Sequence, residues 1–460
     1  MRARIAGAEP RPAGLRAPGA VLLVSCYELG RQPQALASPL AFLERAGFRP
    51  APLDLALEKL DPEKIRRARF AGISVPMHTA LRLGVRVGRR IRELNPACHV
   101  CYYGHYAILH GESLLRASAD SVLGGEFEEH LVELVEAVES GEAVAIRSRR
   151  HFARLDFPVP SRATLPGLER YAHLVRRGQH TIAGQVEASR GCLHHCRHCP
   201  IPPVYGGRLF VVPMETVLAD IRNQVRSGAR HITFTDADFL NGPAHSLRLA
   251  RALHAEFPEV TFDFTAKVEH ILNNRERVLE LGRLGALFMV SAVESLSDGV
   301  LEILDKGHTR ADVFAALEIL RQAGISMRPS LLPFTPWSTR ADFVDLLDFA
   351  ESEDLVDHID PVQYTIRLLV PPGSLLLAHP AMQPHLENFD AEALTARWFH
   401  PDPGMDALQQ QLAALVESAT AADEDPRDIF QSIRTLAGTP RSVPKRRHER
   451  PPRLTEPWFC

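Results

Sequence analysis

One stretch constrains this chain more than any other: Cys192-Leu-His-His-Cys196-Arg-His-Cys199, preceded by the strand-like run Val186 to Ser189 and by Arg190-Gly191, and followed by Pro200. Cysteines separated by three and then two residues in a tight loop bring three thiolates to one point, which is cluster-ligand spacing. Three thiolates on a four-iron cubane leave one iron open to a further ligand, and an open iron implies chemistry rather than storage. A zinc ion is the other occupant the spacing allows, with His194, His195 or His198 completing a tetrahedron.

Composition narrows the setting. The 460 residues give room for two or three domains, and 45% hydrophobic with 24% charged residues is ordinary for a globular protein. A formal net charge of -3 gives no electrostatic ground for binding nucleic acid or an anionic membrane. The apolar run Val21 to Val24 is too short for a signal-peptide core, and none approaches the roughly 18 residues of a bilayer span. A cytoplasmic protein is expected. Its seven cysteines, an odd number, point to metal or redox use in a reducing compartment rather than to a disulfide framework.

Taken in order, residues 1–18 are rich in Ala, Arg, Pro and Gly and read as a disordered leader. Residues 19–141 alternate short apolar runs with helical stretches, which predicts a Rossmann-like parallel sheet with helices on both faces. Ligands of such sheets bind at the strand carboxyl ends, here Cys26 to Gly30, Ser74 to His78, Gly104 to Ala107 and Gly124 to Glu128. Cys98 and Cys101 fall in a strand and its entrance, so they and Cys26 are expected to be buried small hydrophobes rather than ligands of a second cluster. An Arg- and Pro-rich linker is expected over 142–181. From 182 to 375 six strand–helix units follow, with strands near Val186, Ile232, Phe262, Phe288, Met327 and Val362, predicting a partial (β/α)6 barrel with its chemistry at the strand tips. Residues 376–438 read as a helical extension, with helices over 391–399 and 405–421, and 439–460 as a basic, Pro-rich tail ending in Cys460.

The cluster loop with its lead-in, VEASRGCLHHCRHC, resembles the radical S-adenosylmethionine (radical SAM) superfamily. That resemblance implies a [4Fe-4S] cluster on Cys192, Cys196 and Cys199. Its open iron would chelate S-adenosylmethionine, and reductive cleavage of the sulfonium would give a 5'-deoxyadenosyl radical. The residue before the third cysteine, usually aromatic in the family, is His198 here. At the later strand tips the resemblance implies Asp236 and Asp238 at the amino group of S-adenosylmethionine, Lys267 and Glu269 near its carboxylate or the substrate, and Ser291 and Glu294 at its ribose; the alternative for Asp236 and Asp238 is to cap the segment that follows. Lys306-Gly-His-Thr309 follows as in cobalamin-dependent relatives. Arg328, Ser330, Tyr364 and Arg367 are further candidates, since arginines at strand tips suit carboxylates, with a structural ion pair the equal alternative for each arginine. Tyr205 either lines the substrate cavity or packs.

The phrases GISVPMHTAL, RIRELNP and GGEFEEHLVELVEA resemble the cobalamin-binding domain that precedes the barrel in many radical SAM enzymes. They implicate Ser74, Val75, Gly104, Gly125 and Glu126 in cofactor contact. The histidine of the Asp-x-His-x-x-Gly signature is replaced by Tyr27, so no cobalt ligand is expected from that loop; His78 and His105 are alternatives. The fold class expected is thus α/β: a cobalamin-type Rossmann-like domain, a radical SAM partial barrel and a helical extension. The activity expected is methylation of an unactivated carbon on a small-molecule or peptide substrate, with a flavodoxin- or ferredoxin-type electron donor. Corrinoid-independent oxidation, rearrangement or sulfur or selenium insertion is the alternative; a non-catalytic iron–sulfur or zinc sensor is a third. The ending Thr455-Glu-Pro-Trp-Phe-Cys460 resembles a radical SAM group with a Cys-Sec-Ala-Glu-Pro or Cys-Cys-Ala-Glu-Pro tail, which leads us to expect a selenocysteine codon after Cys460.

Overall fold

The computed structural model describes residues 14–142, 148–441 and 449–456. Six parallel strands make the first sheet: β1 (Val21–Ser25), β2 (Ala51–Asp54), β3 (Phe70–Ser74), β4 (His99–Tyr103), β5 (Ser121–Gly125) and β6 (Ser148–His151), in the order β2-β1-β3-β4-β5-β6. β1, β3 and β5 are buried throughout, and β4 is buried beyond His99, as continuous apolar strands covered on both faces must be. The helix His78–Leu94 shows how the cover is made. Leu81, Gly84, Val87, Gly88 and Ile91 recur every three or four residues and face the sheet.

Residues 14–18 of the expected disordered leader instead belong to this domain; the rest of that leader, 1–13, and Cys460 lie outside the described residues. Leu15 is fully buried, and Arg16 lies over the Phe48 ring and pairs with Glu139 at 3.2 Å. The expected linker is also largely structured, since β6 completes the first sheet and two strands of the second lie before residue 187.

The later strands are β7 (His173–Arg176), β8 (Gln179–Val186), β9 (Ser189–Gly191), β10 (Leu209–Val211), β11 (His231–Phe234), β12 (Thr261–Ala266), β13 (Ala286–Glu294), β14 (Ser326–Leu331), β15 (Leu386–Asp390), β16 (Thr395–Trp398) and β17 (Arg453–Leu454). The second sheet runs β14-β13-β12-β11-β8-β7-β17; its first five members are parallel, and β7 and β17 continue it antiparallel. Helices such as Met214–Arg226, Pro243–Glu256 and Arg310–Ala323 return the chain between parallel strands, giving the half-barrel. Stacked phenylalanines fill the space beneath them: Phe234 lies 4.4 Å from Phe239 and 5.6 Å from Phe262 between ring centroids. Thr309 with Asp312 and Thr339 with Asp342 form capping boxes that start two of the outer helices.

Two elements differ from expectation. The sixth barrel strand, expected near Val362, is a 3-10 turn over Pro361–Thr365 joined to the barrel by a single bridge, Phe334 to Arg367. Pro361 cannot donate to a ladder. Where a helix was expected over 391–399, β15 and β16 form a hairpin instead. Asp390 accepts the backbone N–H groups of Glu392 and Ala393 at 2.9 Å and turns the chain. Leu394 at the hairpin tip is buried in the core of the N-terminal domain, and His78 Nε2 contacts Ala393 O at 2.8 Å. No helix among the described residues is long and apolar enough to cross a membrane.

Candidate active site

The cluster loop is the tip of a ribbon. β9 leads in and β10 leads out, paired antiparallel with Gly191 opposite Leu209. Gly191 is required there: its φ is +80°, and a Cβ would sit 2.2 Å from Arg208 O and 2.9 Å from the Tyr205 ring. Between the strands, Cys196 is buried and Cys192 and Cys199 are half-buried. Asn241 Nδ2 lies 3.4 Å from Cys192 Sγ, and the Ile201 N–H lies 3.5 Å from Cys199 Sγ. Arg197 fixes the loop to the helix Asp298–Leu304, its backbone N–H donating to Leu304 O and its guanidinium to Glu302 O and Ile303 O.

Three cysteine sulfurs in one tight loop are an all-thiolate donor set, which suits an iron–sulfur cluster. Among the described residues the group close enough to share one ion is His194, Asp238 and His270. It is a hydrogen-bonded chain: His194 Nε2 and His270 Nε2 are 2.9 Å apart, His270 Nδ1 lies 2.8 Å from Asp238, and the Lys267 ammonium is 3.0 Å from His194 Nδ1. Cys26, Cys98 and Cys101 lie in the first domain, where burial pushes each thiol up to about 12.

The strand-tip residues gather at the same end of the barrel, but several carboxylates are engaged by the chain itself. Asp236 accepts from Ala188 N and Ser189 Oγ, and burial raises it to about 7 against those bonds. Asp238 caps the turn Phe239–Asn241 through Leu240 N and also accepts Lys267 N. Lys267 Nζ lies 3.2 Å from Glu269, and Ser291 Oγ donates to Ala266 O at 3.0 Å. Glu294 is the strained member, a non-glycine residue at φ +61°, a conformation costing about 1–3 kcal/mol. Burial alone would raise its pKa, but Lys306 at 3.3 Å and His198 at 3.3 Å outweigh burial and hold it at about 2. His198 thereby joins the cluster loop to the tip of β13. Ser330, Tyr364 and Arg367 take structural places or stand apart: Tyr364 packs on Phe430, and Arg367 stacks on Trp398 and pairs with Asp406.

The two sheets point their carboxyl ends at one another across a cavity of about 390 Å³. Ser74, Gly104 and Gly125 line it from the first domain, Thr235, Thr265 and Val290 from the barrel, and Arg190 and Tyr205, which flank the cysteines, from the cluster ribbon. Ser74 Oγ is buried there with no hydrogen-bond partner. His105 also faces the cavity, and burial lowers it to about 4. Val75 is wholly buried and meets Tyr106 N through its carbonyl.

Arg190 had not been singled out from the sequence. It spans the interface, giving Nη1 and Nη2 to Glu128 at 2.9 and 2.7 Å and Nε to Glu187 at 2.6 Å, with Glu126 3.6 Å away. Burial, opposed in part by Arg190, raises Glu126 to about 7, and its other oxygen accepts the Tyr205 hydroxyl at 3.2 Å. The signal was present: a cation two residues before the first cysteine, and three acids in Glu126 to Glu129, a span that the fold brings opposite it.

Comparison with known proteins follows the same division. Residues 186–350 match the radical SAM superfamily. The tRNA-2-methylthio-N(6)-dimethylallyladenosine synthase of Thermotoga petrophila is 25% identical over 252 residues, 52% of either chain, and the chain spans about half the length of the curated relatives it matches. OxsB, a cobalamin-dependent S-adenosylmethionine radical enzyme solved with aqua-cobalamin bound, is similar in fold with a TM-score of 0.68 at 14% identity, over 91% of this chain and 71% of that one. TsrM of Kitasatospora setae, a radical S-adenosylmethionine methyltransferase solved with tryptophan and a SAM analogue, gives a TM-score of 0.59 at 19% identity over 73% and 71%. The likeness to OxsB takes in both sheets and their order along the chain, and the cysteine ribbon sits where the sequence match begins. Residues 186–350 of this chain are a radical SAM domain.

Proposed function

We propose that this chain is a radical SAM enzyme that methylates an unactivated carbon. Cys192, Cys196 and Cys199 hold a [4Fe-4S] cluster, the tips of β11, β12 and β13 hold S-adenosylmethionine, and the face around Ser74 and Gly104 takes a corrinoid. One observation carries the reading: Arg190 and Tyr205, which flank the cluster cysteines, residues of β11, β12 and β13, and the carboxyl end of the first sheet line one cavity, while the cysteines, Asp236, Asp238, Lys267 and Glu294 lie outside its lining. The orphaned, buried Ser74 Oγ supports a ligand on the first-domain side, because a buried hydroxyl without a partner is unfavourable.

When bound, these groups supply a 5'-deoxyadenosyl radical and a transferable methyl group. The chain supplies placement. Lys306 and His198 fix Glu294 where a ribose hydroxyl can donate to it. Lys267 keeps an ammonium beside the cluster ribbon for a carboxylate. Phe234 and Phe288 line the chamber and keep water from the radical. Asp236 and Asp238 shape the tip through the donors already named. The substrate is a small molecule or peptide entering the lumen, electrons come from a flavodoxin- or ferredoxin-type donor, and the setting is the cytoplasm.

A second reading, radical chemistry without a corrinoid, is favoured by a different observation. On one face of the first sheet the helices Gln34–Arg45 and Glu128–Ser140 close directly on each other, narrowing the space for a ligand on that side. Ser38 Oγ donates to Glu128 at 2.8 Å, and Tyr103 stacks on Phe127 at 4.8 Å. Anaerobic purification with hydroxocobalamin, followed by iron, cobalt and zinc analysis, separates the readings. About four irons and one cobalt per chain support methyl transfer, and S-adenosylhomocysteine then accumulates with turnover. Iron without cobalt supports the second reading, with 5'-deoxyadenosine and methionine formed and no S-adenosylhomocysteine; zinc alone overturns both.

A further inference from the structure

The floor of the cavity is built from residues that the cluster chemistry does not use. Arg31, in the loop after β1, reaches it from the first domain and Arg328, on β14, from the barrel. The partner of Arg31 is Glu456, which is 425 positions away: Arg31 Nε lies 2.6 Å from Glu456 Oε1, and Nη2 closes on the same oxygen. Both side chains are mostly buried, at 17% and 11% exposure. Glu456 is brought there by a short strap. β17 pairs with β7, Thr455 N–H donates to His173 O at 2.9 Å, and His173 N–H donates to Thr455 Oγ1 at 2.9 Å. Leu454 and Glu456 of the strap face the cavity.

Arg328 is only half satisfied. Nη2 donates to Asp360 at 2.7 Å, whereas Nη1 is buried with no partner. Asp263, the other acid of the floor, is held by His231 Nε2 at 2.8 Å and Thr233 Oγ1 at 2.6 Å. Without Glu456, Arg31 would keep only the more distant Asp263 and Glu28 as acidic neighbours, with no carboxylate bonded to it. A buried guanidinium left alone is strongly unfavourable, so the strap leaves readily only when another anion takes its place. Beyond its ladder with β7 and the Thr455 bonds, the strap is anchored upstream by Arg450, which donates to Asp425 at 2.7 Å, so exchange of Glu456 needs only the end of the segment to move.

We infer that Arg31 and the free Nη1 of Arg328 form a carboxylate-binding subsite in the barrel lumen, that Glu456 occupies it as an internal stand-in, and that a carboxylate-bearing substrate binds by displacing the strap. The inference rests on the reading of the lumen as the substrate chamber and specifies the substrate class. Exchange of Glu456 for the incoming group preserves the charge balance of the floor and opens the edge of β7.

Glutarate and the uncharged glutaramide are titrated calorimetrically into the anaerobically reconstituted full-length protein and its variants, with hydrogen–deuterium exchange followed at residues 173–176 and 450–456. Glu456→Gln is expected to bind glutarate at least tenfold more tightly than the parent protein, because the internal competitor is weakened. Glutaramide is expected not to bind, and glutarate is expected to speed exchange of the strap in the parent. Arg31→Met strands Glu456, so the double variant Arg31→Met with Glu456→Gln carries the decisive comparison with no buried carboxylate left unpaired; it should lose glutarate binding. Equal affinity in the parent and Glu456→Gln, undiminished binding in the double variant, or glutaramide binding as well as glutarate does would overturn the assignment. None of these readouts needs S-adenosylmethionine cleavage, so a failure of the radical SAM reading and a failure of the subsite are told apart.

Discussion

Arg190 reaches acids of both domains through one guanidinium, and its removal is the most informative single change outside the cysteines. Arg190→Met would leave Glu128 and Glu126 buried without their cation, a loss of about 3–5 kcal/mol, read as a lower urea midpoint; adding Glu128→Gln should recover part of it. A second residue-scale prediction concerns pH. His110 is buried with neither ring nitrogen partnered, and burial lowers it from 6.5 to about 4. Above pH 6.5 both native and unfolded states carry it neutral and it contributes nothing. Between 6.5 and about 4 the unfolded chain takes up a proton that the native state refuses, so stability falls with pH, by up to roughly 3 kcal/mol at the acid end. Urea titrations across that window should show a shallower decline for His110→Phe; parallel declines would refute the assignment. The cysteines were legible because ligand spacing is local. Capping by Asp238 was a local possibility and is found at Leu240 N; the ties of Asp236 and Asp238 to Ala188, Ser189 and His270, 32 to 48 positions away, were not legible, and the Arg31–Glu456 pair is longer-range still.

Among the elements, the end of β5 makes a stringent demand on one residue. Gly125 has φ +73°, and a Cβ would lie 2.3 Å from His151 O on β6, so Gly125→Ala should destabilise the first domain by roughly 2–3 kcal/mol, measured by thermal or urea denaturation. The packing that requires this glycine is with β6, which lay in the stretch read as a linker. Thr309→Ala removes one half of a capping box and should cost about 1 kcal/mol, in contrast to the same change at the exposed Thr435, whose hydroxyl only back-bonds to Gln431 O within its own helix. The apolar runs of β1, β3, β5 and β11 were readable because each is buried on both faces, and β14 was readable by its strict alternation. The hairpin β15–β16 was not: its pattern is short and half-exposed, and what decides it is the Asp390 turn and the docking of Leu394 on a distant domain. The sixth barrel position failed for the opposite reason, an apolar run beginning with a proline that denies it a ladder.

At the scale of the whole molecule, the two sheets are tied by more than the shared cavity. Arg162, from the connecting segment, donates to Asp220 on a barrel helix and to Gln32 and Gln34 in the first domain, and Arg190 adds the second tie. Calorimetry should therefore show one unfolding transition, and Arg162→Ala combined with Arg190→Met should split it into two; a single transition in the double variant would mean that apolar contact alone couples the domains. That there would be two α/β units was evident from the alternation of runs, but how they face each other was not, because interdomain ties join residues whose sequence neighbourhoods look like ordinary charged surface. The hairpin tip has a consequence for biosynthesis. His78 meets Ala393 across 315 positions, so the first domain emerges from the ribosome with a face that nothing yet made can cover. Vectorial, domain-by-domain maturation is thus interrupted: the earliest part of the chain is completed only after the barrel behind it has been synthesised, and until then its exposed face is a natural client surface for chaperones.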